Sequence, residues 1–208
     1  MEKKRTISMA VIKRLPKYHR YLEDLMKNDV DRISSKELSE RMGITASQIR
    51  QDLNCFGGFG QQGYGYNVGV LYKEISTILG IDYNFNFIII GAGNLGQALA
   101  NYSNFSKRGF KLIGIFDKKE NLVGTNINGV IINHIDDISG FLKDNVVDIV
   151  MLCVPKHNVT EIVNSAVELG VKAFWNFSPI EIAVPSDVVV ENVHLIDSLM
   201  VLGYKFRR

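Results

Sequence analysis

No apolar run in the 208 residues approaches the roughly 20 that a membrane-crossing helix needs, so no membrane partner is expected. The N-terminal MEKKR is charged and lacks the apolar core of a secretory signal, which makes the cytoplasm the expected location. Cysteine occurs only twice. Cys55 and Cys153 lie far apart with no metal-like spacing and read as free thiols, so no metal site is expected. Histidine occurs four times. His134, His157 and His194 fall in no catalytic pattern, and His157, after Pro155 and Lys156, reads as the start of a helix. No catalytic residue is nominated. The apolar fraction, 46%, is ordinary for globular proteins.

Charge is nearly balanced at +2 but unevenly spread: residues 1–80 hold 13 Lys and Arg against 9 Asp and Glu, residues 81–208 hold 11 against 13. A basic front half hints at a polyanionic partner. Ser8–Leu15 reads as a short helix, and Pro16 should open another, since proline suits a first helical turn but not an interior. Tyr18, Leu22, Leu25 and Met26 mark its apolar face. Ser34 with Glu37, and Thr45 with Gln48, are two capping boxes; Gly43 stops the first helix, and Ile44 with Ile49 forms a hydrophobic staple on the second. Two capped helices joined by a short turn form a helix-turn-helix signature.

Ile49 and Leu53 should face inward on the second helix, leaving Ala46, Ser47, Gln48, Arg50, Gln51 and Asn54 outside. Such a face is either solvated or suited to base edges and phosphates in a major groove. Six glycines from Gly57 to Gly69, interleaved with aromatics, suit a hairpin wing that approaches another backbone closely; a flexible linker seldom carries so many aromatics. Val70–Gly80 reads as a helix leading into the second domain.

Residues 88–117, IIIGAGNLGQALANYSNFSKRGFKLIGIFD, run strand, glycine turn, helix, strand, acid. Asn86–Ile90 is apolar enough for a strand covered on both faces. Gly91, Gly93 and Gly96 follow the G-x-G-x-x-G spacing for a tight turn, close backbone approach to a pyrophosphate, and close helix–strand packing. Asp117, 21 residues past Gly96 at the end of the strand Lys111–Phe116, can accept from an adenosine ribose and would repel a 2′-phosphate, which favours NAD(H) over NADP(H). Leu195, Leu199, Leu202 and Phe206, widened by Ile196 and Met200, give a terminal helix that must bury against its own domain or a partner.

TASQIRQDLNCFGGFGQQGYGYNV (45–68), GAGNLGQALANY (91–102) and WNFSPIEIAVPSDVVVENVHLIDSL (175–199) resemble the recognition helix and wing, nucleotide turn, and last strand with C-terminal helix of the Rex family of bacterial redox-sensing repressors. The resemblance implies an α/β chain: a winged helix-turn-helix domain at 1–80, a Rossmann-type parallel-sheet domain at 81–190, and a dimerisation helix at 191–208 that is exchanged between subunits. It implies a homodimeric repressor, not an enzyme, that holds palindromic operator DNA when NADH is scarce and releases it when NADH binds. By position, Ser47, Gln48, Arg50, Gln51 and Tyr64 would touch DNA. Gly91, Ala92, Gly93, Asn94, Leu95, Gly96 and Asp117 would hold NADH or NAD+, with Val154, Pro155, Asn176, Phe177 and Ser178 around the nicotinamide and its ribose. Arg20, Tyr102, His194 and Leu195 would couple nucleotide to subunit arrangement, with Asp197 as the alternative acid to His194. Many relatives carry lysine at Gln51 and a basic residue at Gln61 or Gln62; each lost phosphate contact reduces affinity and salt dependence.

Two other readings compete. A small NAD-dependent oxidoreductase would need a substrate domain, and the 128 residues after 80 leave little room for one. A DNA-binding sensor of another nucleotide or of coenzyme A would find Lys118 and Lys119 beside Asp117 ready for a phosphate.

Overall fold

A computed structural model of the chain describes residues 7–56, 60–61 and 64–207. They fall into two compact units with the boundary between Asp82 and Tyr83.

In the first unit, α1 (Met9–Ile12) is capped by Ser8, and α2 (Leu15–Lys27) carries Pro16 in its first turn. There follow β1 (Arg32–Ile33), α3 (Ser35–Met42), α4 (Ala46–Asn54), β2 (Gly60–Gln61), β3 (Gly65–Asn67) and α5 (Val68–Ile78). The capping box at Ser34 is complete: its hydroxyl accepts from Glu37 N–H at 3.1 Å and its own N–H donates to Glu37 Oε2 at 2.8 Å. Gly43 ends α3 at φ +64°. The second box is half formed. Thr45 accepts from Gln48 N–H, but the Gln48 side chain turns to Asp52 instead. Helix α5 starts at Val68, earlier than the expected Val70, because Asn67 caps it by accepting from Val70 N–H.

The core gathers Leu22, Leu38, Ile49, Leu53, Leu71 and Ile75, all fully buried, with Ile44 packed against them. Met26 is a correction: it is 45% exposed. The buried face of α2 passes through Tyr18, Leu22 and Leu25; at 100° per residue Met26 is turned about 70° away from it. The three strands form an antiparallel sheet in the order β1-β3-β2. Helices with an antiparallel hairpin after the second helix of a helix-turn-helix make a winged helix.

The second unit runs β4 (Phe85–Ile90), α6 (Asn94–Ala100), β5 (Phe110–Asp117), β6 (Asn126–Ile127), β7 (Val130–His134), α7 (Ile138–Asp144), β8 (Ile149–Leu152), α8 (Lys156–Glu168), β9 (Ala173–Asn176), β10 (Val189–Asn192) and α9 (Leu195–Phe206). The sheet order is β10-β9-β8-β4-β5-β7-β6. All neighbours are parallel except the edge strand β6. Alternate residues of β4 serve opposite faces: Ile88 and Ile90 pack with Phe116 and Val150, whereas Phe87 and Ile89 pack with Ile115 and Met151. Both faces are covered, which explains the unbroken apolar run. Strand order reverses between β4 and β8, and in doubly wound sheets ligands bind at the carboxyl ends beside that reversal. The segment from 191 opens with the end of β10; the terminal helix itself begins at Leu195.

Gly65 is the tightest point of the small sheet. It sits at φ +70°, and a Cβ there would lie 2.6 Å from the Ile33 carbonyl oxygen. Gly65→Ala should therefore cost about 2 kcal/mol or more, because strain and a backbone clash act together. Urea denaturation followed by circular dichroism measures it, and an unchanged midpoint would contradict the close approach.

Candidate nucleotide site and DNA-reading helix

The glycine turn lies at the carboxyl end of β4, beside the reversal. Gly91 has φ +99°, and a Cβ on it would lie 2.5 Å from Cys153 O. A Cβ on Gly96 would overlap the Gly91 carbonyl, so α6 can press on β4 only with glycine there. Gly93 faces open space, with nothing within 4 Å of a built Cβ. The three glycines thus serve the turn, the helix packing and an open approach to the backbone. Ala92 is buried in the turn, and Asn94 and the half-buried Leu95 open α6.

Asp117 ends β5 and is almost fully buried. Its Oδ2 accepts from Ala92 N–H at 2.6 Å and its Oδ1 from Lys119 N–H at 2.9 Å. The carboxylate therefore pins the turn as well as facing the site. A carboxylate offers roughly four acceptor positions, so capacity remains for ribose hydroxyls. Gln97, which sequence reasoning missed, holds the same residue from its other side through Nε2–H to Ala92 O at 2.8 Å.

A cavity of about 700 Å³ opens from this turn, bounded by Gly91, Gly93, Asp117, Val154 and Pro155, with Ile135, Ile138 and Leu142 as an apolar wall. Lys118 and Lys119 also line it. An open glycine turn, a ribose acceptor and an apolar slot fit the adenosine diphosphate portion of a dinucleotide. Cys153 lines the same cavity, and burial pushes its thiol up to about 12.

Asn176 and Ser178 are buried at the end of β9 and act on one another. Ser178 N–H donates to Asn176 Oδ1 at 2.9 Å, its hydroxyl donates to Val154 O, and Asn176 Nδ2 donates to Ile180 O and to Asn192 Oδ1, each at 2.8 Å. This network joins the ends of β8, β9 and β10. Phe177 is half-buried, its ring 4.8 Å from Trp175, which meets Phe105 edge-on; Phe105 in turn meets Tyr102 edge-on. The Tyr102 hydroxyl accepts from Asn104. His194 precedes α9 with its Nε2 3.6 Å from Glu181 Oε1, and Asp197 lies in the first turn of α9. Leu195 is 61% exposed. Arg20 is exposed on α2, in the other unit.

On α4, Ser47, Arg50 and Gln51 are exposed. Arg50 Nη1 donates to Ser35 Oγ at 3.0 Å, at the start of α3. Tyr64 is 70% exposed, and its carbonyl accepts from Arg32 of β1. Gln61 lies in β2, and Gln62 falls outside the described residues. Gln48 differs from its neighbours: it is half-buried and bonded to the fully buried Asp52. Asp52 also binds Arg14 and Tyr18. Burial alone would raise the Asp52 pKa, but bonds from Arg14, Gln48 and Tyr18 outweigh it and hold the carboxyl below its usual value. Sequence reasoning passed over this cluster, although an acid between Ile49 and Leu53 on an inward face was a signal.

The family described as "Putative DNA-binding protein N-terminus" matches residues 6–54, and the one described as "CoA binding domain" matches residues 82–180. The redox-sensing transcriptional repressor Rex of Clostridium perfringens is 60% identical over 204 residues, 98% of this chain and 96% of that protein. The chain belongs to the Rex family. Rex of Caldicellulosiruptor saccharolyticus is likewise 60% identical, over 99% of this chain and 94% of its own. The crystal structure of RSP in complex with beta-NAD+ and operator DNA superposes with a TM-score of 0.91 at 58% identity, covering 96% of this chain and 92% of that one. RSP with beta-NADH gives 0.90 at 55% identity, covering 97% and 94%. Rex proteins are transcriptional repressors, and the oxidoreductase reading falls with that finding.

If the carboxylate of Asp117 takes a ribose as well as holding the turn, one substitution should disturb both. Asp117→Ala should weaken NADH binding about tenfold or more by calorimetry, since a buried N–H is left unpaired as well. Retained affinity would remove Asp117 from the site. Iodoacetamide at pH 7.5 should label the exposed Cys55 and spare Cys153 in the native protein, because only the thiolate reacts. Equal labelling by mass spectrometry would contradict the raised pKa of the Cys153 thiol.

Proposed function

We infer that the protein is a cytoplasmic homodimeric repressor that holds a palindromic operator when NADH is scarce and releases it when NADH binds. The observation that carries this is the RSP pair at 58% and 55% identity, one with beta-NAD+ and operator DNA, the other with beta-NADH.

In this reading Ser47, Arg50 and Gln51 of α4 enter the major groove, and Tyr64 extends from the wing. The turn Gly91–Gly96 cradles the pyrophosphate, and Asp117 takes the ribose. These contacts are common to both oxidation states and cannot discriminate. Discrimination falls to the nicotinamide end. NADH presents a neutral ring and NAD+ a charged one, and walls formed by Val154, Phe177 and Leu195 of the partner subunit penalise burial of charge. The network of Asn176 and Ser178 fixes those walls relative to the turn.

Dimerisation is assigned to α9. Eight of its 12 residues are large and apolar, each more than half exposed in the single chain. A surface of that kind has to be covered. A dimer reads two half-sites about 34 Å apart or at a multiple of that spacing. If NADH favours a closed arrangement, the helices leave register, and operator must weaken NADH binding by the same factor. Moving the population from mostly open to mostly closed takes roughly 5 kcal/mol.

A gel shift on a palindromic operator should show release by NADH and not by NAD+ at equal concentration. Equal release by both, or by coenzyme A alone, would refute the assignment; the coenzyme A arm is included because of the domain match and the two lysines at the cavity. Ending the chain at Val193 keeps β10 and deletes α9, and should give a monomer by light scattering. A persisting dimer would place the interface elsewhere.

A further inference from the structure

Four polar side chains meet beneath the reading helix. Asp52 has no exposed surface, and each of its oxygens accepts two hydrogen bonds. Oδ2 takes Arg14 Nε–H at 2.7 Å and the Tyr18 hydroxyl at 2.9 Å. Oδ1 takes Arg14 Nη2–H at 2.7 Å and Gln48 Nε2–H at 2.8 Å. That fills the roughly four acceptor positions of a carboxylate. Arg14 and Tyr18 stand one helical turn apart at the start of α2; Gln48 and Asp52 stand one turn apart on α4.

We propose that Arg14, Tyr18, Gln48 and Asp52 form a buried polar lock that sets the rotation of α4 over DNA, so that Gln48 acts on the operator through Asp52 and not by touching bases. The proposal rests on the reading that α4 enters the major groove. Base readout demands side chains held within about half an ångström. Ile49 and Leu53 anchor α4, but apolar contacts are non-directional and permit a helix to roll. A two-pronged guanidinium–carboxylate pair with two further donors is directional and fixes that roll. The pair also neutralises a carboxylate that would otherwise lie unpaired beside a polyanion. Gln48 is spoken for in the same way. A two-point contact to adenine uses the amide oxygen and nitrogen together, whereas this amide nitrogen is directed inward, while Ser47, Arg50 and Gln51 of the same helix are exposed.

The lock should matter for discrimination more than for general attraction, since phosphate contacts by flexible basic side chains tolerate a rolled helix. In the full-length protein, Asp52→Asn removes the charge partner of Arg14 with little change of shape. Operator affinity should fall at least about tenfold, affinity for scrambled DNA of equal length should stay within about threefold, and NADH affinity should not change. Unchanged operator affinity, or an equal fall on both DNAs, would overturn the proposal. Wild-type protein that fails to prefer operator over scrambled DNA would instead refute the underlying reading. Should Asp52→Asn fail to fold, Arg14→Lys keeps the charge, loses the two-pronged geometry and reads the same ratio. Gln48→Leu supplies an independent test that spares the buried pair. Competition with every single-base operator substitution should give the wild-type ranking of base preferences. Preference lost at one base pair per half-site is the signature of a direct base contact, and would sink the claim for Gln48.

Discussion

One residue, Ala92, is the point on which the sensing half of the molecule turns. Its N–H is held by Asp117 at the end of β5 and its carbonyl by Gln97 on α6, while Gly91 and Gly96 let β4, β8 and α6 close around it. Strand, turn and helix are thereby locked into one frame before any ligand arrives. An open face at Gly93 is what remains, and a preorganised set of backbone donors costs little to order when an anion binds.

The two units use a buried carboxylate in contrasting ways. Asp117 accepts two backbone bonds and borders the cavity, so it keeps acceptor capacity for a ligand. Asp52 accepts four bonds and borders nothing but protein. On the readings proposed above, the number of unused lone pairs separates a group that recognises from a group that positions. It also explains why one acid was legible in the sequence and the other was not. Asp117 is fixed by a local motif at a set distance from Gly96. Asp52 acquires its role from Arg14, 38 residues away, and no spacing rule announces such a pairing.

The same contrast between local and distant determinants runs through the fold. The capping box at Ser34, the stop at Gly43 and the apolar run of β4 depend on neighbours in sequence, and they stand where the pattern put them. Gln48 matched a capping-box pattern equally well, yet a buried acid one turn away competed for its amide and won. Met26 matched an apolar face that the geometry of α2 turns away. Among the nucleotide residues, the glycines were readable because each meets a steric requirement. The joint role of Asn176 and Ser178 as a brace between β8, β9 and β10 depends on a sheet order that only the folded chain reveals.

The helix α9 has a kinetic side as well. An isolated segment of 12 residues, apolar around most of its circumference, is a marginal helix in water and a sticky one. In the α9-mediated dimer proposed above, newly made chains would carry it bare until they meet a second copy, so maturation would be second order in concentration. Dilution would strip the protein of its sensing geometry by mass action, without any change in redox state. On that reading the amount of repressor in a cell would have a floor below which it could not report on metabolism at all.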